Sequence, residues 1–293
     1  MNPPFFSDVF KDTNDLLSKD FYHLTPLSLD IKTVARNGVN FNINARQPVK
    51  DGPLSTNFES KYIDKSTGIA LTQTWSNRNK LNSKIEINDI TPGLKTELSS
   101  FFNPNLFLGK DVAADKDKNV NLNVNFIQHF FTARGNFNFL NGPPNFTGDF
   151  TLYRDGFVYG SQLKYNINQG SISDYAMAVA YKTLDYSIGL QVDDKQLTSL
   201  SFNQILNPNL QIGSRAILDP KFNSNKVNLE FVTKYLIDVN SQIKLKVSDS
   251  GSVAMGYKQA LRPGVTLGLG ASFDALNLNE PVHKLGWSLS FDA

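Results

Sequence analysis

Apolar and polar residues alternate with a period of two over runs of about ten positions along most of this chain, the signature of strands with two unlike faces. Val39, Phe41, Ile43 and Ala45 fall on one side of such a run, and Asn40, Asn42, Asn44 and Arg46 fall on the other. Phe131, Ala133, Gly135, Phe137 and Phe139 alternate with Thr132, Arg134, Asn136 and Asn138. Phe157, Tyr159, Ser161, Leu163 and Tyr165 alternate with Val158, Gly160, Gln162, Lys164 and Asn166. Turn chemistry punctuates the runs at Asn37-Gly38, Asp51-Gly52-Pro53, Thr91-Pro92-Gly93, Asp155-Gly156, Ser248 to Gly251 and Arg262-Pro263-Gly264. The chain therefore reads as successive antiparallel hairpins.

Strands of about 9 to 11 residues span a tilted path across a bilayer, whereas strands of soluble sheets more often run about 5 or 6. About 17 to 20 candidate strands meet that criterion, and the weak runs 171–181 and 195–204 leave the parity open. An open sheet in hydrocarbon would strand its edge amides and carbonyls, so closure into a barrel is the architecture that satisfies the backbone. A soluble all-β protein is compatible with the alternation alone. The polar faces argue against it, because Lys, Arg, Gln and Asn recur in nearly every hairpin and suit a water-filled lumen. No apolar run reaches the roughly 18 residues that a membrane-crossing helix needs.

One segment breaks the strand rhythm. From Phe6 to Asp20, the residues Phe6, Val9, Phe10, Thr13, Leu16 and Leu17 recur at helical spacing, with Asp8, Lys11, Asp12, Asp15 and Lys19 on the remaining face. Asp8 near the start and Lys19 in the last turn would complement the helix dipole, and Pro3-Pro4 would stop the helix from extending backwards. The expected organisation is a short amphipathic helical segment over residues 1–25, placed inside the pore, and an all-β transmembrane barrel over 26–293.

Composition removes other classes. The 293 residues carry 29 Lys and Arg against 27 Asp and Glu, a net charge of +2, too small for a whole-surface nucleic-acid binder. There is no cysteine, and His23, His129 and His283 are scattered, so neither a metal site nor any cofactor is expected. No nucleophile, base and orienter occur in a recognisable motif, so no enzyme is expected. The N-terminal residues offer neither a cationic nor an apolar signal-peptide region, which disfavours secretion.

Pro3-Pro4-Phe5-Phe6-Ser7-Asp8 with Lys11, Asp15 and Lys19-Asp20-Phe21, the run 246–274 and His283-Lys284-Leu285-Gly286 are similar to the voltage-dependent anion channel (mitochondrial porin) family, and most to its fungal members. The resemblance covers essentially the whole chain. It implies 19 strands closed by a parallel first and last pair; this family is the standing example of that odd count, which comes from the family and not from the residues. It also implies a voltage-gated, weakly anion-selective pore of the mitochondrial outer membrane that exchanges ATP, ADP, phosphate and other small metabolites and ions. The protein-import pore of the same barrel superfamily is the alternative, although its longer N-terminal segment is not matched here.

Assigning the polar faces to the lumen gives pore-lining and selectivity candidates Asp15, Lys19, Arg46, Lys61, Lys84, Lys95, Arg134 and Lys164. The full lumenal set sums to twelve cations against six anions: Lys32, Arg46, Lys61, Lys84, Lys95, Arg134, Lys164, Arg215, Lys244, Lys246, Lys258 and Lys284 against Asp30, Glu59, Glu86, Glu97, Asp149 and Glu230. Gly93-Leu94-Lys95 resembles a short nucleotide-contact triplet of the family, although it reads equally as a turn and a strand start. Lys284, Gly286, Leu289 and Phe291 fit the mitochondrial sorting pattern for a last strand. The expected partners are the lipid bilayer, permeating nucleotides and small anions, and the outer-membrane sorting machinery, with homo-oligomer formation left open. Two departures stand out. Gln73 occupies the place of a lipid-facing glutamate common in animal members, and the polar stretch Lys110 to Asn119 reads as an unusually long loop.

Overall fold

The structure is a computed structural model that describes residues 2–49, 52–88, 91–104, 118–139, 144–220, 227–279 and 283–292. Its strands are β1 (Leu27–Val34), β2 (Asn40–Gln47), β3 (Ser55–Asp64), β4 (Ile69–Ser76), β5 (Lys80–Asn88), β6 (Leu94–Phe102), β7 (Lys118–Ile127), β8 (Phe131–Asn138), β9 (Asn145–Arg154) and β10 (Phe157–Asn166). They continue with β11 (Ser171–Lys182), β12 (Tyr186–Asp193), β13 (Thr198–Asn207), β14 (Leu210–Leu218), β15 (Val227–Asp238), β16 (Ser241–Ser248), β17 (Ser252–Arg262), β18 (Val265–Asp274) and β19 (Lys284–Asp292). Each pairs antiparallel with its chain neighbours, and β1 pairs parallel with β19, from Leu27 beside Trp287 to Lys32 beside Asp292. Strand directions alternate along the chain, so the first and nineteenth strands point the same way. An odd count therefore forces a parallel seam.

The hairpin turns use the chemistry expected of them. At Asp155-Gly156 both residues have positive φ, 51° and 88°, a conformation that matches the twist of the flanking strands and that Asp and Gly tolerate. The outward face is apolar and uncovered, with Leu71, Trp75, Tyr159, Met177, Phe231 and Trp287 all exposed. Such a belt suits hydrocarbon, and no helix among the described residues is long and apolar enough to cross a membrane.

The N-terminal segment departs from the single helix expected over 6–20. It forms one 3-10 turn at Phe6–Asp8, then α1 at Lys11–Ser18, with Phe10 at a non-helical φ of −107° between them. The break lets Phe6 and Val9 pack with Val158, Ala176, Ala178 and Ala180, while Leu16, Leu17 and Phe21 pack with Val232 and Ala254. The expected dipole partners change accordingly. Asp8 lies before α1, and Lys19 is an extended C-cap residue rather than part of the last turn. A second 3-10 turn, Tyr22–Leu24, precedes β1.

This segment lies inside the barrel. The carbonyl of Pro4 accepts from Thr132 on β8 and Thr151 on β9, and Tyr22 rests on β18 and β19. So short a stretch reaches strands so far around the circumference only from within. The expected loop from Lys110 falls at 110–117 outside the described residues, and its last two positions, Lys118 and Asn119, are corrected to the start of β7.

Candidate functional site: the lumenal wall

Cross-strand register fixes which side chains share the lumen. Arg46 pairs with Ser28 and Ser55, Lys61 with Asn40 and Thr72, and Lys84 with Thr72 and Ser99, all on the face that carries Asp30, Glu59, Glu86 and Glu97. Arg134 and Lys164 share that face further round, beside Asp149 and Asp174. Every member of the sequence-derived set of cations and anions therefore lies on the inner wall. The register adds Lys80, Lys182 and Lys234, and also Asp174, Asp193, Asp274 and Asp292. Six of these sit at strand ends or, for Asp174, in the weak run 171–181, whereas Lys234 lies mid-strand on β15. Lys234 was legible, because it lies four residues after Glu230 on one strand and shares its face.

The charges are largely engaged with one another. On β5 and β6, Lys84 lies 2.5 Å from Glu86 and 3.1 Å from Glu97, and Lys95 lies 3.6 Å and 3.0 Å from the same two carboxylates. Glu86 and Glu97 are direct cross-strand partners, a like-charge contact that the two lysines neutralise. Arg134 grips Asp149 through two N–H groups at 2.7 and 2.5 Å, and its guanidinium lies 5.2 Å from the Phe5 ring. Lys164 pairs with Asp174 at 3.0 Å, and Arg215 and Lys246 share Glu230 at 2.7 Å each. Arg46 reaches Asp30 only at 4.0 Å, while Asn44 donates to that carboxylate. Among the described residues Lys32 and Lys61 make no ion pair.

The N-terminal segment is tied to the wall by charge as well as by packing. Lys244 is 3% exposed, yet its Nζ donates to the carbonyls of Asp15 (3.2 Å) and Lys19 (2.9 Å) and so satisfies the end of α1. Asp20 follows in the left-handed region at φ 61°, and its carboxylate accepts from Lys258 (3.3 Å), Gln242 (3.1 Å) and Tyr22 (3.2 Å). Burial pushes the Asp20 carboxyl up, but Lys258 and Lys244 outweigh it and hold the group below its ordinary value. Lys182 reaches Asp12 at 3.4 Å, and Lys19 pairs with Asp15 at 2.6 Å. A cavity of about 690 Å³ lies between the segment and the wall, lined by Asp12, Asp15, Lys19, Lys182, Lys234 and Lys244.

The remaining expected residues separate by face. Gly93 takes a turn at φ 84°, Leu94 points outward and Lys95 inward, so the triplet does not converge on one point. On β19, Lys284 and Gly286 face the lumen, while Leu289 and Phe291 face outward beside Leu29 and Ile31 across the seam. Gln73 is exposed on the outer face between Leu71 and Trp75. No cluster of three or more potential metal ligands occurs among the described residues.

The family model described as eukaryotic porin matches residues 2–286. This chain belongs to that family. It is 52% identical over 293 residues, all of each chain, to a Saccharomyces cerevisiae protein named non-selective voltage-gated ion channel 1. It is 44% identical, again over all of each chain, to the Candida albicans mitochondrial outer membrane protein porin. Among solved structures, a mutant porin of Rh. blastica aligns with a TM-score of 0.51 at 10% identity, covering 84% of this chain and 93% of that one. That likeness concerns the barrel fold alone.

Proposed function

We propose that this eukaryotic porin forms a voltage-gated, water-filled pore of the mitochondrial outer membrane, passing small metabolites and ions with a weak preference for anions. The observation that carries the reading is the segregation of charge. A closed barrel exposes apolar side chains outward and gathers its Lys, Arg, Asp and Glu on an inner wall. The relatives described above carry channel and porin names, which disfavours the import-pore alternative.

The permeants fit this wall by charge and not by a built pocket. Inward lysines such as Lys61 and Lys95 would meet nucleotides and phosphate transiently, because the triplet at Gly93 lacks the helix N-terminus and glycine loop of a dedicated phosphate site. Arg46, Lys84, Arg134 and Lys164, with Asp15 and Lys19 on the segment, complete the proposed selectivity lining. The last strand would present Lys284, Gly286, Leu289 and Phe291 to the sorting machinery before the seam closes. Purified protein in a planar bilayer tests the pore directly. Stepwise conductance that falls as voltage rises, with a reversal potential on the anion side in a salt gradient, is expected. Absence of steps, or a conductance indifferent to voltage, refutes it.

A further inference from the structure

Three glycines, Gly256 on β17, Gly270 on β18 and Gly286 on β19, are direct cross-strand partners and face the lumen side by side, with Gly268 at the adjacent lumenal position of β18. Glycine weakens a strand, so a row of them in register calls for a reason such as close approach of another backbone. That backbone is present. A Cβ on Gly256 would meet the Asp20 carbonyl oxygen, and one on Gly286 would meet the carbonyl oxygens of Tyr22 and Thr25. A Cβ on Gly270 would meet the backbone nitrogens of Tyr22 and His23, and one on Gly268 would meet the Tyr22 ring.

The chain above this row has little slack. Lys244 holds the Lys19 carbonyl on one side, Lys258 and Gln242 hold the Asp20 carboxylate, and Trp287 donates its backbone N–H to Pro26 at 3.2 Å immediately before β1 begins. Residues 20–25 therefore cannot swing clear of an added methyl without releasing one of these anchors.

We infer that Gly256, Gly268, Gly270 and Gly286 are positioning residues: a backbone seat that holds residues 20–25 flat on the wall and so sets how far the N-terminal segment intrudes into the bore. Gly286 then has a second use. It matches the sorting pattern of the last strand, and the finished channel needs it again as part of the seat. The seat rests on the pore reading only for its conductance consequence; the position of the segment can be read without it.

The chain has no cysteine, so Leu17→Cys, at a residue 3% exposed, gives a single reporter of segment position. In protein refolded into detergent, without sorting machinery, Gly256→Ala, Gly270→Ala and Gly286→Ala should each raise maleimide labelling of that cysteine, on the order of tenfold for an overpacked contact. Circular dichroism should report an intact barrel. Gly148→Ala, on the outward face of β9, should leave labelling unchanged. Gly268→Ala should be rescued by Tyr22→Ala, which removes the ring in the way, whereas Gly270→Ala, opposed by backbone, should not. In bilayers the seat variants should show a lower open conductance. Unchanged labelling in folded barrels overturns the inference, as does failure of Tyr22→Ala to restore Gly268→Ala. A Gly286→Ala protein that labels like wild type when refolded, yet fails to assemble in mitochondria, would leave that glycine a sorting residue alone and overturn its second use.

Discussion

Lys61→Glu and Lys95→Glu each change the lumenal charge by two units, but their surroundings predict different consequences. On the described strands fifteen lumenal cations face ten anions, an excess of five; the N-terminal segment contributes Lys11 and Lys19 against Asp8, Asp12, Asp15 and Asp20, which lowers the excess to three. Lys61→Glu therefore reduces an excess of three to one. It breaks no ion pair among the described residues but turns the longer-range attraction between Lys61 and Glu86 into repulsion, so its stability cost should stay at about 1 kcal/mol or less, below that of Lys95→Glu. Lys95→Glu instead replaces two attractive contacts, to Glu86 and Glu97, with repulsive ones. Like charges about 4 Å apart repel by about 4 kcal/mol at an effective dielectric constant near 20. Because Lys95 is 36% exposed, solvent screening should leave about 2 kcal/mol in total. Adding Lys19→Glu to both changes the charge by six units and takes the lumen from plus three to minus three. The assay is the reversal potential across a planar bilayer with a salt gradient at low ionic strength, alongside a denaturant melt of each variant. Lys61→Glu should nearly abolish anion preference, and the triple variant should prefer cations. Both effects should fade in concentrated salt, since the Debye length is about 8 Å at physiological strength and about 3 Å at 1 M. An unchanged reversal potential for the triple variant refutes the lumenal assignment. Equal melts for the two single variants would refute the four-charge cluster.

Asp15→Lys should move the reversal potential toward the anion limit, because it adds two units of positive charge and releases Lys19 from its 2.6 Å pair. Leu289→Asp with Phe291→Asp should leave the protein extractable from mitochondria by carbonate, since both side chains belong to the outward face of the closing strand; normal retention would contradict this. Asp20 should make the seat acid-sensitive. Its carboxyl is held below the ordinary 3.8, so its stabilisation is complete above that value and is lost as pH falls through the lower folded value. Labelling of the Leu17→Cys reporter should therefore rise in strong acid, and Asp20→Asn should remove that dependence.

Much of this was legible from period and turn chemistry. The alternation at 39–46 placed Asn40, Asn42, Asn44 and Arg46 on the lumen, and the glycine turns at Gly38, Gly156 and Gly264 all take the positive φ expected of them. What failed was set by tertiary contact. Helical spacing from Phe6 to Asp20 is real, yet the wall beneath it divides into two apolar patches, and the segment breaks at Phe10 to reach both. Whether the strand count is odd or even could not be read because the weak runs 171–181 and 195–204 divide in more than one way, and irregular pairing at Lys164/Tyr165 and Ile205/Asn207 lies beside them. The glycine row was invisible for a different reason. Gly256, Gly270 and Gly286 are ordinary small residues in sequence and become a row only through register.

The same register explains why a lumen with a net positive wall need not hold anions tightly. The wall from β14 to β19 carries Arg215, Lys234, Lys244, Lys246, Lys258 and Lys284, but much of that charge is already committed. Lys244 caps α1, Lys258 binds Asp20, and Arg215 and Lys246 share Glu230. The N-terminal segment, with four aspartates to two lysines, is the counter-charge of the wall it covers. On the uncovered side, Lys84 and Lys95 are neutralised by Glu86 and Glu97, which leaves Lys32, Lys61 and the loosely paired Arg46, with Lys284 on the neighbouring β19, as the cations most available to a passing anion. A few available charges spread along β19 and β1 to β3 bias the traffic of ions without assembling a pocket. A reversal at Lys61 should consequently shift selectivity more, per unit of charge, than neutralising Lys244. Lys244→Met should register instead as a loosened segment, through faster labelling of the Leu17→Cys reporter.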